Sequence, residues 1–293
     1  SESSLSADIA KRLYSRIKLN SISRLELFAG CAYAQFLKYG LGLKENRTAD
    51  FSFADLGTIY HSVIELFSAQ LREKNKTWLT FTYSEAEEYI ETALGRFTAE
   101  NSAVLYDSKK GRYEISSMKR ILLRTVETLK YQLGKGDFMP AYAEEYFRSA
   151  NSLHGRIDRI DLAEDADNVY VKIIDFKSGS KDFDYAFLFN GLQMQLITYM
   201  DAALERIKNE YKKKNKSVVA SALLYYRIID PVINADDEGI GMESSAEEIE
   251  GSIRKSLHTT GIVNADDKII KKLDRDIESS SDVIPVGYKR DGS

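Results

Sequence analysis

Through the first half of the chain, apolar side chains recur every three or four positions, the spacing of one helix face. Ser23 with Glu26 has the form of a capping box ahead of Leu25, Phe28 and Leu37, and Gly40 is a natural stop. A second helix is predicted from about Asp55 to Lys74, with Ile59, Val63, Leu66 and Phe67 as its apolar face. Ser84 with Glu87 opens a third, to about Glu100. A fourth covers roughly Ile115 to Leu133 and ends at Gly134.

The pattern then changes to strands. Tyr142–Ser149, Leu153–Leu162 and Asn168–Phe176 are short runs bounded by turn residues. The polar stretch Glu164–Asn168 predicts that the last two form a hairpin. A long amphipathic helix is predicted over about Tyr185 to Lys214, with Leu192, Leu196, Met200 and Leu204 in a stripe. Val218–Ile229 reads as a buried strand that Asp230-Pro231 ends. Beyond it the chain is polar and carries no clear period. The order predicts an α/β or α+β domain with a mixed sheet, which alone says nothing about activity.

Composition narrows the class. The 293 residues are 43% hydrophobic and 29% charged, a profile of soluble globular chains, and no apolar run is long enough to span a bilayer. Ser1 to Ala10 is polar and acidic, unlike a secretory signal. The single cysteine, Cys31, excludes an internal disulfide and fits a reducing cytoplasm. The net charge of −4 comes from the tail: from Asp236 onward there are 14 acidic and 8 basic residues, against 31 and 33 before it. Bulk charge therefore neither supports nor excludes a nucleic-acid partner.

The chemistry concentrates on the predicted hairpin. Gly155-Arg156-Ile157-Asp158 lies on its first strand and Ile174-Asp175-Phe176-Lys177 on its second. Alternation puts Val169, Val171, Ile173, Asp175 and Lys177 on one face. An apolar strand that ends in a carboxylate and an ammonium is costly to fold unless both have partners. A solvated salt bridge is the ordinary outcome for a lone Asp-x-Lys. Asp158 one strand away adds a second carboxylate, and such a pair can hold Mg²⁺, with Mn²⁺ also possible. An ion there would activate water and stabilise a phosphate under attack, with Lys177 orienting that water or stabilising charge.

Around this centre stand further candidates. One of Glu144 and Glu145 should face the same site, and Glu144 is preferred. His61 and Glu65 share a helix face opposite the apolar stripe, so His61 either meets solvent or points into a cleft, where it could ligate a metal. Gln195 and Tyr199, four apart, are either a polar helix flank or hydrogen-bonding groups near the lysine or a DNA backbone. Lys212-Lys213-Lys214-Asn215-Lys216 reads as a solvated helix end. Phosphate-loop, nucleophile-elbow and Cys-rich zinc motifs are missing from the sequence.

These stretches, with Ile22-Ser23-Arg24-Leu25-Glu26, Tyr39-Gly40-Leu41, Gly57…His61…Glu65 and Gly191-Leu192-Gln193-Met194-Gln195…Tyr199, resemble the RecB-type branch of the PD-(D/E)xK nuclease superfamily. Within it the likeness is greatest to nuclease domains of the AddB chains of AddAB helicase–nucleases, over about Ser21 to Pro231. The resemblance implies a restriction-endonuclease-like mixed sheet flanked by helices, with a helical N-terminal part at 1–140, a catalytic core at 141–235 and an acidic, truncated extension at 236–293. It implies metal binding by His61, Asp158 and Asp175, to which the strand pattern adds Glu144 as a candidate ligand, with catalytic roles for Asp158, Asp175, Lys177, Gln195 and Tyr199. The implied setting is DNA-end processing for recombinational repair, beside an AddA-like helicase–nuclease subunit, with cleavage of the 5′-ended strand. Members with a 4Fe–4S cluster use four cysteines. Cys31 matches the first, and the other three have no counterpart here, so this chain alone cannot hold the cluster. Without such a role Cys31 reads as a buried helix residue. An inactive nuclease-fold DNA-binding or scaffold module is the competing reading, disfavoured because Asp158, Asp175 and Lys177 are all kept. A CRISPR-associated or phage exonuclease is a third, disfavoured by the long helical segment and the start at Ser21.

Overall fold

The helical stripes of the first half fold against one face of a six-stranded mixed sheet. In this computed structural model, residues 6–14, 20–44, 53–100, 109–148, 153–179, 183–232 and 244–288 are described. Helix α1 is Ala7–Tyr14, strand β1 the two residues Asn20–Ser21, α2 Ile22–Gly30 and α3 Ala32–Gln35, followed by a π-turn at Phe36–Gly40. Next come α4 (Phe53–Glu73), α5 (Tyr83–Glu100) and α6 (Lys109–Lys135). Strands β2 (Met139–Arg148), β3 (Leu153–Glu164) and β4 (Asn168–Lys177) follow, then α7 (Tyr185–Phe189), α8 (Gln195–Tyr211) and β5 (Ser217–Arg227). The chain closes with α9 (Ala246–Ser256), β6 (Thr260–Val263) and α10 (Asp267–Leu273).

Two expected caps lie elsewhere. Helix α2 already begins at Ile22, and its extended N-cap residue Ser21 makes no side-chain cap bond. Ser23 is therefore inside the helix and exposed, and Glu26 is free to reach another element. Before α5 the reciprocal box is Thr82 with Glu85, two residues ahead of Ser84 and Glu87: the Thr82 N–H donates to Glu85 Oε2 (2.8 Å) and the Glu85 N–H to Thr82 Oγ1 (3.3 Å). Phe81, buried edge-on against Phe67 and Trp78, anchors the chain just before Thr82, which sets where the helix starts. The buried face of α4 is Ile59, Val63, Ile64, Phe67 and Leu71, with Leu66 half-buried.

The single helix expected over Tyr185–Lys214 is two. Asp184 caps α7, its Oδ1 accepting from Ala186 N (2.7 Å) and Phe187 N (3.3 Å). Gly191, at φ +73°, then turns the chain before α8, a conformation that costs glycine nothing. A 3₁₀ turn at Lys212–Lys214 ends the helix, with Asn215 left-handed.

In the sheet, β3 pairs antiparallel with β2 and with β4, forming the expected hairpin. β4 and β5 are parallel, joined by the helical crossover through α8, and β6 adds an antiparallel edge. Tyr170, Ile174, Phe176 and Tyr226 face the core made with α4, α5 and α6. Val169, Val171 and Ile173 face a second core under Leu196, Met200, Ala203 and Ile207 of α8. The described part of 236–293 packs on the rest of the molecule. β6 extends the sheet, and Ile269, Ile270, Leu273, Ile277, Val283 and Ile284 are buried in the α4–α6 core, so the three expected segments share one core. Residues 236–243 and 289–293 lie outside the described ones. No described helix is long and apolar enough to cross a membrane.

Candidate active site

The site forms where β3 and β4 part from one another, each still paired with its other neighbour, beside α4 and α8. The β3–β4 register ends at Arg159 with Ile174, one residue from each aspartate. Gly155 permits the approach of α8: a Cβ there would lie 2.7 Å from the Phe147 ring and 3.1 Å from the Tyr199 ring. Asp158 Oδ2 accepts the Phe176 N–H at 2.7 Å, which ties β3 to β4 beyond the ladder.

Glu144 reaches the centre through a break in strand phase. Its neighbours pair in register with β3, Ala143 with Arg159 and Glu145 with Ile157, which sets Glu144 across from Asp158. Its φ of 54° is left-handed, at a cost on the order of 1–2 kcal/mol for a non-glycine residue. Tyr142 and Glu145, three apart, therefore both meet Arg206 of α8, whereas alternation would set them on opposite faces. Glu144 turns the other way, toward His61. The His61 Nδ1 lies 3.3 Å from Asp158 Oδ1 and 3.8 Å from Glu144 Oε1, and Nε2 lies 3.1 Å from the Phe176 carbonyl oxygen. Its side chain is 21% exposed, so His61 is neither a core residue nor fully solvated.

Beside this group, Lys177 is held by a second set of bonds. Its ammonium pairs with Asp175 and donates to Gln195 Oε1 at 3.0 Å. The Gln195 amide nitrogen donates to Asp175 Oδ1 (3.0 Å) and to the Tyr199 hydroxyl (2.8 Å). A lysine only donates and a carboxylate only accepts, so the orientation of this amide is determined. The backbone N–H of Gln195 donates to Glu26 Oε1 at 3.1 Å.

Three carboxylates, Glu144, Asp158 and Asp175, converge beside His61, Arg156 and Lys177. Burial, together with the charge of Asp158, raises Asp175 well above the usual carboxylate range against the pull of Lys177. Burial alone lowers His61, but hydrogen bonds to Asp158 and Glu144 outweigh it and push the imidazole up to about 10. Burial raises Tyr199 far above its ordinary value, so its hydroxyl stays neutral. Arg156 Nε lies 2.6 Å from Glu144 Oε2, yet no N–H is directed at that buried oxygen.

On the other face of the same strands lies a buried ionic group. Arg159 Nε is 2.8 Å from Asp161 Oδ1, Arg159 donates to Asp161 Oδ2 at 2.9 Å, and Lys172 Nζ is 2.9 Å from that oxygen. All three residues are buried, with Arg159 over Trp78 and Lys172 over Phe138.

Among the described residues, one group of three potential ligands converges within 4.8 Å: His61, Glu144 and Asp158. Asp175, expected beside Asp158 as a ligand, lies outside that group of three, bonded to Lys177 and Gln195 and near enough to Asp158 to feel its charge. Glu145 pairs with Arg206 and stays out of the site. Cys31 is exposed at the break between α2 and α3, where its Sγ accepts from Ala34 N at 3.4 Å; it is not a buried helix residue. The extended backbone there (φ −161°, ψ 103°) interrupts the helix that sequence periodicity runs through. Periodicity and motif spacing give Arg156 and Glu26 no site role. Arg156 is legible beside Asp158, while the partner of Glu26 is 169 residues away.

The surroundings of these residues match known proteins. The model of the PD-(D/E)XK nuclease superfamily matches residues 20–279. The B-type subunit of an ATP-dependent helicase/deoxyribonuclease from Lachnoclostridium phytofermentans is 36% identical over all of this chain and 26% of the relative. Proteins of the same description from Clostridium botulinum (strain Loch Maree) and Alkaliphilus metalliredigens are 35% and 34% identical, each over 96% of the chain and 25% of the relative. The chain thus spans about a quarter of the length of these relatives. The family match takes in every strand of the sheet and every residue of the site, and the chain belongs to the PD-(D/E)XK nuclease superfamily.

Proposed function

We propose that this chain is the divalent-metal-dependent deoxyribonuclease domain of an AddAB-type helicase–nuclease, hydrolysing phosphodiester bonds at DNA ends during double-strand break processing. The observation that carries this reading is the convergence of His61, Glu144 and Asp158 beside the Asp175–Lys177–Gln195 network. One imidazole nitrogen with carboxylate oxygens is a donor set that suits Mg²⁺ or Mn²⁺. With His61 neutral, as ligation requires, three carboxylates face only Arg156 and Lys177, which fits a cation, and Asp175 would add a ligand from the adjacent strand. When bound, such an ion lowers the pKa of a water and stabilises charge on the phosphate.

The chain's own residues supply the rest. Lys177 orients the attacking water or neutralises the pentacovalent phosphate, and it acts from a fixed position because Asp175 and Gln195 hold its ammonium. Tyr199 holds the Gln195 amide. A four-cysteine iron–sulfur cluster does not fit this chain, which offers one cysteine. The relatives' description, a subunit of an ATP-dependent helicase/deoxyribonuclease, supports DNA as the substrate and an assembly with helicase activity, in which an AddA-like chain in the cytoplasm is the partner this reading implies.

End-labelled linear DNA incubated with the protein and Mg²⁺ or Mn²⁺ should be cut, and chelator should stop it. Lys177→Ala should cut on the order of 10²–10³ times more slowly with its fold intact. Binding without cleavage under either metal would favour the inactive DNA-binding or scaffold module.

A further inference from the structure

Glu26 connects α2 to the start of α8. Gln195 is the first residue of α8, where backbone N–H groups have no partner within the helix. The N-cap residue, Met194, makes no side-chain cap bond. Glu26 accepts the Gln195 N–H from another element, and its negative charge suits a helix N-terminus. The same residue, Gln195, carries the side chain that bridges Lys177, Asp175 and Tyr199. One carboxylate thus fixes the backbone from which the amide holding the lysine projects. We infer that Glu26 is a positioning residue for Lys177, acting through Gln195 and touching neither substrate nor metal. This rests on the nuclease reading for its kinetic consequence, but not for its structural one.

A merely structural cap and a positioning residue differ in what they move. Removing a cap lowers stability by a similar amount whatever side chain Gln195 carries. Removing a positioning residue loosens Gln195 and slows the chemistry only while that side chain is present. The test compares Glu26→Ala, Glu26→Gln, Gln195→Ala and the Glu26→Ala/Gln195→Ala double variant. Should Glu26→Ala not fold, Glu26→Asp, with its carboxylate drawn back by one methylene, takes its place.

The first readout is the Gln195 side-chain amide in ¹H–¹⁵N spectra of metal-free protein. Wild type and Glu26→Gln should show two distinct, slowly exchanging protons, and Glu26→Ala should lose that protection. The second is single-turnover cleavage of linear DNA with Mn²⁺. Glu26→Ala should slow it about tenfold, with the half-saturating DNA concentration changed by less than about twofold, and should add nothing in the Gln195→Ala background. Glu26→Gln, which keeps an acceptor oxygen, should restore the rate. Unchanged Gln195 signals in Glu26→Ala, or losses that multiply in the double variant, would overturn the inference. Lost Gln195 signals with no cleavage by wild type would uphold the positioning and refute the nuclease reading instead.

Discussion

Strands β3 and β4 carry two charged groups a few residues apart, and the two solve opposite problems. Arg159, Asp161 and Lys172 are sealed under Trp78 and Phe138. Burial raises Asp161, but the two cations outweigh it and hold the carboxyl below its ordinary range. In this group two cations hold one carboxylate wholly inside the protein. On the open side three carboxylates, Glu144, Asp158 and Asp175, stand beside His61, Arg156 and Lys177, and Asp175 is pushed up rather than down. The same residue types make a structural brace where two cations enclose one sealed carboxylate and a poised site where three carboxylates crowd one another.

The sharpest way to break that comparison is Asp161→Ala. It leaves two buried cations without their carboxylate and should cost about 3–5 kcal/mol in denaturant unfolding. A loss below about 1 kcal/mol would mean the inner group is not a brace. Asp175→Asn should do the reverse. A carboxyl with a raised folded pKa stabilises only below its unfolded pKa, and that stability is lost as pH rises through the folded value. Near pH 8 the variant should therefore melt about 2–4 °C above metal-free wild type, and the gain should vanish toward pH 4, while cleavage is abolished. A lower melting temperature at pH 8 would remove the claim of carboxylate crowding. The smallest effect belongs to Glu145→Ala. Its partner Arg206 is half-exposed, so thermal unfolding should report less than about 1 kcal/mol and cleavage should persist. Loss of activity there would exchange the roles of Glu144 and Glu145.

What the sequence discloses follows from the range of each interaction. The β3–β4 hairpin, the placement of Asp175 and Lys177 on one face, and the extent of α4 rest on periodicity and adjacent turns, which are local. Periodicity also keeps His61 out of the core, but whether it meets solvent or Asp158 depends on how α4 packs on the sheet. Alternation cannot choose between Glu144 and Glu145, because a single left-handed residue shifts the phase of β2. The capping-box spelling at Ser23 and Glu26 misleads because α2 begins at Ile22, already ahead of Ser23, and Glu26 serves α8 instead. The polar appearance of 236–293 hides Ile269, Ile270 and Leu273, which become core only once the sheet edge exists to receive them.

The central claim is that the open group is a metal centre, and calorimetric titration of the metal-free protein with Mn²⁺ tests it most directly. His61, pushed up to about 10, carries a proton at pH 8, and that protonation contributes stability below about pH 6.5 that is lost as pH rises toward 10. Metal binding must displace the proton, so affinity should rise with pH. The expected result at pH 8 is one saturable binding event, with about one proton released, as read from the dependence of the heat on buffer ionisation, and its loss in Asp158→Asn. Binding that survives in Asp158→Asn, or that releases no proton, would contradict the account.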